Sequence, residues 1–459
     1  MYHVVHISEA EKLTENGSTF IAYTIQFGDY EVKRRYSEFE SLRSLLCRLY
    51  PTFIVPPIPE KHSLTQYAVL QKRAKEDQYI IGRRKRMLEH FLNHLVEHPI
   101  LSSEHIMHRF LENGASWTEV LHSPIITGLP RSPLHSSPSR APGSSIADGS
   151  SVQLPKIAAA NSFACDVAVP SGVLAPIKNI DARWMDCELF TNRFIQQFSG
   201  NVEKNQARVY RKLGELAGDY SELGAALNGF SLLEHPEALA AAIESAGQAV
   251  DSSYIEINQL LSQMEAEVAE PIHEYSQYAM VIKQVLRFRL LKNLQLDGVQ
   301  EALVWQRSKL DGLLQADDEA KRLAQALESS SSSNPPTSGS PESSFGMRFL
   351  RTPKVLGDGI MSRLTYALNG MMDVDPEQLR RNQIGRASDR IGVLEEQLEM
   401  LSNDLALINT STQDNLDRFQ KQKMRELKGV LIATAKMHLE WAEKNLEIWK
   451  DAKEAVDGV

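Results

Sequence analysis

The chain has 459 residues, with 50 Lys+Arg against 59 Asp+Glu and a net charge of −9, a balance that argues against a bulk nucleic-acid binder. Its three cysteines, Cys47, Cys165 and Cys187, form no CxxC pair and predict no disulfide framework, which points to a reducing compartment. The start MYHVVHISEAEK does not read as a signal peptide, and no apolar run reaches the roughly 18 residues of a membrane span, so a cytoplasmic protein with peripheral membrane contact is expected. No P-loop, G-x-S-x-G, H-E-x-x-H or Cys/His constellation occurs, so no enzyme, cofactor or metal is expected.

Residues 19–27, TFIAYTIQF, alternate apolar and polar and predict a half-buried strand. Gly28-Asp29 reads as a two-residue hairpin loop, Tyr30–Arg35 as the return strand, and Tyr2–Ile7 as a third strand at the edge. The return strand hands over to a helix within Lys33-Arg34-Arg35-Tyr36-Ser37-Glu38-Phe39-Glu40. Ser37 and Glu40 have the S-x-x-E form of a capping box, and Phe39, Leu42, Leu46 and Leu49 mark the buried side of the helix. An arginine pair therefore stands just ahead of a helix N-terminus, a position that favours anions, and the guanidinium fork fits a phosphate. Pro51, Pro56, Pro57 and Pro59 stiffen the next loop and carry Lys61 at its end. A second helix is predicted around Arg84–Glu97, with Leu88, Phe91, Leu92 and Leu95 inward and the run Arg83-Arg84-Lys85-Arg86 at its start. His90, His94 and His98 recur every four residues along it, and without a Cys or acidic partner at metal spacing they read as a solvated flank.

These elements, RRYSEF at 34–39, PPIPEK at 56–61 and RRKRMLEHF at 83–91, together resemble the PX domain of sorting nexins. The resemblance implies an α+β domain over 1–121, a three-stranded antiparallel sheet with helices. It also implies a site for phosphatidylinositol 3-phosphate: Arg35 on the 3-phosphate, Tyr36 under the inositol ring, Lys61 on the 1-phosphate, and Arg84 on the 4- and 5-hydroxyls. Arg83 and Arg86 compete with Arg84 for that last role. Residues 1–121 carry 15 basic and 15 acidic groups, so attraction to a membrane depends on a local cluster rather than on overall charge.

Residues 122–176 are rich in Pro, Ser and Gly with no apolar period, and predict a disordered linker. From about Asp181 the chain reads as long helices: one to about Asn228, a second from His235-Pro236 to about Leu327 with a kink at Pro271, and a third over 375–459. In the third, Ile384, Ala387, Ile391, Leu394, Leu398, Leu401, Leu405 and Ile408 step by three and four, and Leu398 and Leu405 are expected in a dimer seam. Three long helices after a PX domain resemble the all-α BAR domain of the PX-BAR sorting nexins, here at 177–328 and 375–459. An ordinary coiled-coil dimer has the same composition. Residues 171–459 hold the chain's negative charge; Arg287, Arg289, Lys292, Lys421, Lys423, Arg425 and Lys428 are the candidates for a basic, membrane-facing side. The interruption at 329–374 opens as SSSSSNPPTSGSPESS and continues into a basic segment with Leu356, Ile360, Leu364, Leu368 and Met371 on one stripe. These are candidates for membrane contact, against a helix docked on the bundle. An insertion at this place is similar to that of the fungal sorting nexin 41 / autophagy-related protein 20 group. The resemblance implies a non-catalytic adaptor on endosomal membranes, and at the preautophagosomal structure, that retrieves cargo proteins and serves selective autophagy. Its expected partners are phosphatidylinositol 3-phosphate membranes and a second copy or another PX-BAR sorting nexin. The competing reading is a coiled-coil scaffold whose PX domain does not recruit it to lipid.

Overall fold

The computed structural model describes residues 4–15, 18–28, 30–60, 74–130, 132–135, 181–331 and 376–458. The alternating stretch forms the middle strand of an antiparallel meander of β1 (Val5–Glu15), β2 (Ser18–Phe27) and β3 (Tyr30–Arg35). Phe27 pairs with Tyr30 across the tip, and Gly28 has φ 59°, the left-handed conformation that a two-residue hairpin loop needs. Tyr23 and Ile25 enter the core as the alternation predicts; Ala22 and Thr24, on the other face, are buried as well. The register places Glu11 and Lys33 beside them, and their ion pair (2.7 Å) spans the small side chains.

β1 continues to Glu15, well past the Ile7 expected from its apolar pattern, because pairing with β2 supplies the backbone hydrogen bonds that its polar sequence does not advertise. Its outer edge is closed by side chains of α2 (Ala74–Glu97). Asn93 accepts from Val5 N and donates to Val5 O (both 2.9 Å), and Glu89 accepts from Ile7 N (2.8 Å). Lys85 Nζ donates to the carbonyl of Ser8 (2.6 Å), where the register shifts between Ile7 and Glu9. An edge strand closed in this way offers no template for another chain. α1 (Tyr36–Leu49) buries Phe39, Leu42, Leu46 and Leu49, and α2 buries Leu88, Phe91, Leu92 and Leu95, the faces their periodicity predicts. α3 (His105–Leu111) and α4 (Trp117–Leu121) complete this core, with Phe110 against both Phe39 and Trp117 at 5.1 Å.

The ordered chain does not stop at residue 121. α5 (Pro124–Thr127) follows, Ile126 and Leu129 join the same core, and the turn Pro133–His135 buries Leu134. These apolar residues are too sparse to show a period, yet Ile126, Leu129 and Leu134 are each buried, so 122–130 and 132–135 are anchored where a disordered linker was expected. The rest of that linker, and the insertion with Leu356, Ile360, Leu364 and Leu368, lie outside the described residues.

The helical region runs as α6 (Ala182–Gln197), α7 (Lys204–Ser231), α8 (Glu237–Met264), α9 (Glu270–Ser331) and α10 (Pro376–Asp457). Wider π-turns, Phe198–Glu203 and Glu265–Ala269, link α6 to α7 and α8 to α9. The second lies immediately before Pro271, which has no N–H to offer the preceding turn; the chain widens there and carries on.

The chain divides into two compact units, Met1–Leu294 with Asn403–Val459 and Gln295–Ser402. In the first, α6, α9 and α10 meet around Trp184, Tyr275, Tyr278, Val281 and Phe419, and Ile54 of the sheet module joins that cluster. In the second, the later part of α9 and the first part of α10 run antiparallel, with Arg307 bound to Glu395 (2.7 Å) and Arg380 3.7 Å from Asp317. The stripe assigned to a dimer seam turns inward: Ala387, Leu394, Leu401 and Ile408 are buried within one chain, and Leu398 and Leu405 are half-buried. An amphipathic period reports that a face is covered, not which chain covers it.

Candidate functional site

The arginine pair is divided by the alternation of β3. Arg34 points inward and is 5% exposed. Its guanidinium donates to the carbonyls of Phe110 (2.9 Å), Ala115 (3.2 Å), Arg109 (3.2 Å) and Glu112 (3.3 Å), and lies over the Phe110 ring. Arg34 therefore ties the end of α3 to the sheet. Arg35 points outward and is exposed, with its guanidinium 5.9 Å from the centre of the Phe20 ring. The helix cap also differs from the S-x-x-E expectation: Glu38 accepts the capping hydrogen bond, and the donor is the backbone N–H of Arg35 (2.9 Å). The helix begins at Tyr36, two residues earlier than that motif requires, so the bond falls two residues earlier as well.

Tyr36 stands beside Arg35 at the first position of α1. Its hydroxyl donates to the carbonyl of Pro59, and Arg43 Nε donates to the carbonyl of Pro56 (2.8 Å), so two side chains of α1 fasten the proline loop. Arg84 of α2 lies across the Tyr36 ring, 4.9 Å from its centre, and reaches the carbonyl of Glu60 (3.4 Å). Burial pushes the Tyr36 phenol up to about 12 against the opposing pull of Arg84, so its proton stays on the hydroxyl near neutrality. Lys61, the next residue along the loop, lies outside the described residues.

The helix expected around Arg84–Glu97 begins ten residues earlier, at Ala74, so the basic run 83–86 lies within α2, and it scatters in three directions. Arg84 faces Tyr36, Lys85 holds the Ser8 carbonyl, and Arg86 binds Glu270 of α9 with its Nε 3.0 Å from the carboxylate. Among the described residues, Arg84 is the one of the three competing arginines that lies on the Tyr36 ring. The result is a corner where strand end, helix N-terminus and proline loop converge, presenting a guanidinium, an aromatic face and the N–H groups of the first helical turn. Such a corner suits a phosphorylated polyol, in which ring and anionic groups are held together.

The histidines on α2 correct the expectation of a solvated flank. His94, its side chain 13% exposed, sits between two carboxylates, 3.3 Å from Glu274 of α9 and 3.4 Å from Glu426 of α10, with the Tyr278 hydroxyl 2.9 Å away. Burial alone would lower its pKa, but the two carboxylates prevail and hold it at about 10. Glu274 also faces His90 at 3.6 Å; burial pushes it up, the two imidazoles pull it down, and it settles at about 2. His98 goes the other way, to about 4, through burial and the nearby Arg418. The three histidines thus join the sheet module to α9 and α10. Of the seven basic residues proposed from sequence for a membrane-facing side, Arg287, Lys421, Arg425 and Lys428 are exposed, and the other three are engaged within the chain. Lys292 is buried and donates to the carbonyl of Leu134 (3.1 Å), Arg289 stacks on Trp184 at 4.6 Å, and Lys423 is buried among phenylalanines.

A family model described as the PX domain matches residues 22–114, so the sheet module with its Arg35–Tyr36–Arg84 corner is a PX domain. Over its full length the chain is similar to a sorting nexin-41 of Cryptococcus neoformans, with 44% identity across 98% of this chain and 71% of that one. It is also similar to an autophagy-related protein 20 of Gibberella zeae, with 34% identity across 99% of this chain and 84% of that one. Among solved structures, the cryo-EM structure of the SNX-BAR Mvp1 tetramer aligns over 98% of this chain and 99% of that one, with 14% identity and a TM-score of 0.48. The chain belongs to the sorting nexin-41 / autophagy-related protein 20 family of fungal PX-domain proteins.

Proposed function

We propose that this chain is a non-catalytic peripheral membrane adaptor, recruited to endosomal membranes by phosphatidylinositol 3-phosphate and acting in cargo retrieval and selective autophagy. The observation that carries the reading is the corner described above. Arg35 is the outward member of the pair, and Arg84 lies on Tyr36 beside a fastened proline loop. In this reading Arg35 takes the 3-phosphate, the inositol ring lies on Tyr36, Arg84 bonds the hydroxyls, and Lys61 closes on the 1-phosphate. The names of the relatives support trafficking and autophagy as the setting, on the endosome and at the preautophagosomal structure.

The helical region is read as a module that engages curved membrane as a dimer, of this chain or with another PX-BAR sorting nexin. Val202, Val209, Leu216, Leu223 and Phe230 recur every seven residues along α7 and the turn before it, each between 39% and 50% exposed. A seven-residue apolar seam of this kind calls for a helical partner. The test of recruitment is vesicle sedimentation across the phosphoinositides. Wild type should sediment with phosphatidylinositol 3-phosphate and Arg35→Ala should not; sedimentation of that variant at wild-type level would move the site elsewhere.

A further inference from the structure

The exposed seam of α7 does not end at Val202. Between Val202 and Phe194 the chain passes through the π-turn Phe198–Glu203, which takes up more residues per turn than an α-helix. A step of eight residues across it keeps the face that a step of seven keeps along α7, so the face of Val202 continues onto Phe194 and then Phe190, whose rings stack 6.3 Å apart. There α6, α9 and α10 leave an open-mouthed apolar pocket of about 170 Å³, lined by Cys187, Phe190, Phe194, Ile282, Leu416 and Phe419. Phe190 is 56% exposed, a large ring left in water on one chain. The other end of the seam carries a matching excess. Beyond Phe230, in the corner between α7 and α8, Leu232 and Leu233 are 86% and 76% exposed, and no leucine among the described residues is more so.

The pocket and the corner stand in symmetric places. Two antiparallel copies of the seam match all five of its apolar residues about a two-fold axis at Leu216, the middle one, with Val209 on Leu223 and Val202 on Phe230. Leu232 and Leu233 then lie opposite residues 199–200 of the other copy, about 9 Å along the helix axis from Phe194. We propose that in a dimer of this chain the α7–α8 corner of each copy inserts Leu232 and Leu233 into the phenylalanine pocket of the other. This contact extends the dimer read above and depends on that reading. A pocket of this order takes a benzene-sized group, and a leucine side chain is no larger. Its lining includes one acid and one base, Asp417 and Lys423, so it offers no net charge to hold an anionic head group, whereas an apolar side chain gains from the area it buries.

Within one chain Cys187 and Leu233 stand at opposite ends of the run α6, π-turn and α7, roughly 65 Å apart at helical rise, so a short link between them forms only between copies. The test is Leu233→Cys in the full chain with Cys47→Ser and Cys165→Ser, treated with a short bis-maleimide. A cross-linked dimer on a denaturing gel, lost when Cys187→Ser is added, is the expected result. In the otherwise native chain, Leu232→Ser with Leu233→Ser should weaken dimerisation at least about tenfold by sedimentation equilibrium and leave helicity unchanged, because both side chains are already in water in one copy. Undiminished affinity together with no Cys187-dependent link would overturn the proposal and leave the α7 seam standing. A wild type that stays monomeric at every concentration would overturn both. Alkylation of Cys187 that is slowed by anionic vesicles, and not by raising the protein concentration, would assign the pocket to lipid and overturn the proposal as well.

Discussion

Arg34 and Arg35 are adjacent in sequence and opposite in consequence. Removing Arg34 leaves four carbonyls short of a donor and withdraws a cation from the Phe110 ring. Arg34→Ala should therefore destabilise the PX module by about 3 kcal/mol, a fall of roughly 10 °C in its melting transition. Arg35→Ala should melt with wild type and lose only vesicle binding, so a scan beside the sedimentation assay separates the two roles. His94 gives a pH dependence. Its folded pKa of about 10 lies above the ordinary value near 6.5, so its contribution is complete below about pH 6.5 and is lost as pH rises toward 10. Glu274, held at about 2, contributes above about pH 4.5 and ceases to as pH falls toward 2. His90, which that carboxylate also raises, adds to the same alkaline loss, while the Tyr275 and Tyr278 hydroxyls complete the surroundings. The melting temperature should fall between pH 6.5 and pH 9.5, and His94→Gln should flatten that slope. An unchanged slope would mean that the ion pairs do not form in solution.

At the scale of elements, the contact between α7 and α8 depends on two glycines. A methyl group on Gly224 would lie 2.0 Å from Asp251 Oδ1, and one on Gly247 would lie 2.2 Å from Asn228 Oδ1. Asn228 and Asp251 are themselves hydrogen-bonded across the pair at 2.7 Å, so neither side chain moves aside without breaking that bond. Gly224→Ala and Gly247→Ala should each cost about 1–3 kcal/mol despite alanine's better helix propensity. Thermal denaturation followed by circular dichroism checks this. Stabilisation in either variant would show that the helices separate freely at this crossing.

For the molecule as a whole, the exposed seam on α7 and the inward stripe on α10 make different predictions. Leu216→Glu with Leu223→Glu should halve the mass measured by light scattering and leave helicity intact, because charges enter the exposed face proposed to meet a second chain. Leu398→Glu should instead lower stability with little change in mass, since Leu398 is already half-buried within one chain. Reversal of these two outcomes would return the dimer contact to the α10 stripe. On α10, Ile432, Leu439 and Leu446 form another exposed seven-residue series, and the same measurement extends to them.

The sequence alone determined what depends on local covalent chemistry and on periodicity. Alternation placed β2 and β3, the steps of three and four gave the buried faces of α1 and α2, and the spacing of RRYSEF, PPIPEK and RRKRMLEHF led to the PX domain. The inward turn of Arg34 was available from the same alternation, since neighbours on a strand face opposite ways. Only the tertiary structure decided which arginine of α2 meets Tyr36, what becomes of Ile126, Leu129 and Leu134, and where the α10 stripe is buried. It also turned His94 from a surface histidine into a half-buried cation whose tyrosine partner is 184 residues away. A period states that a side chain is buried, whereas the partner of a charge is set by which distant elements pack together, and that information is spread over the whole chain.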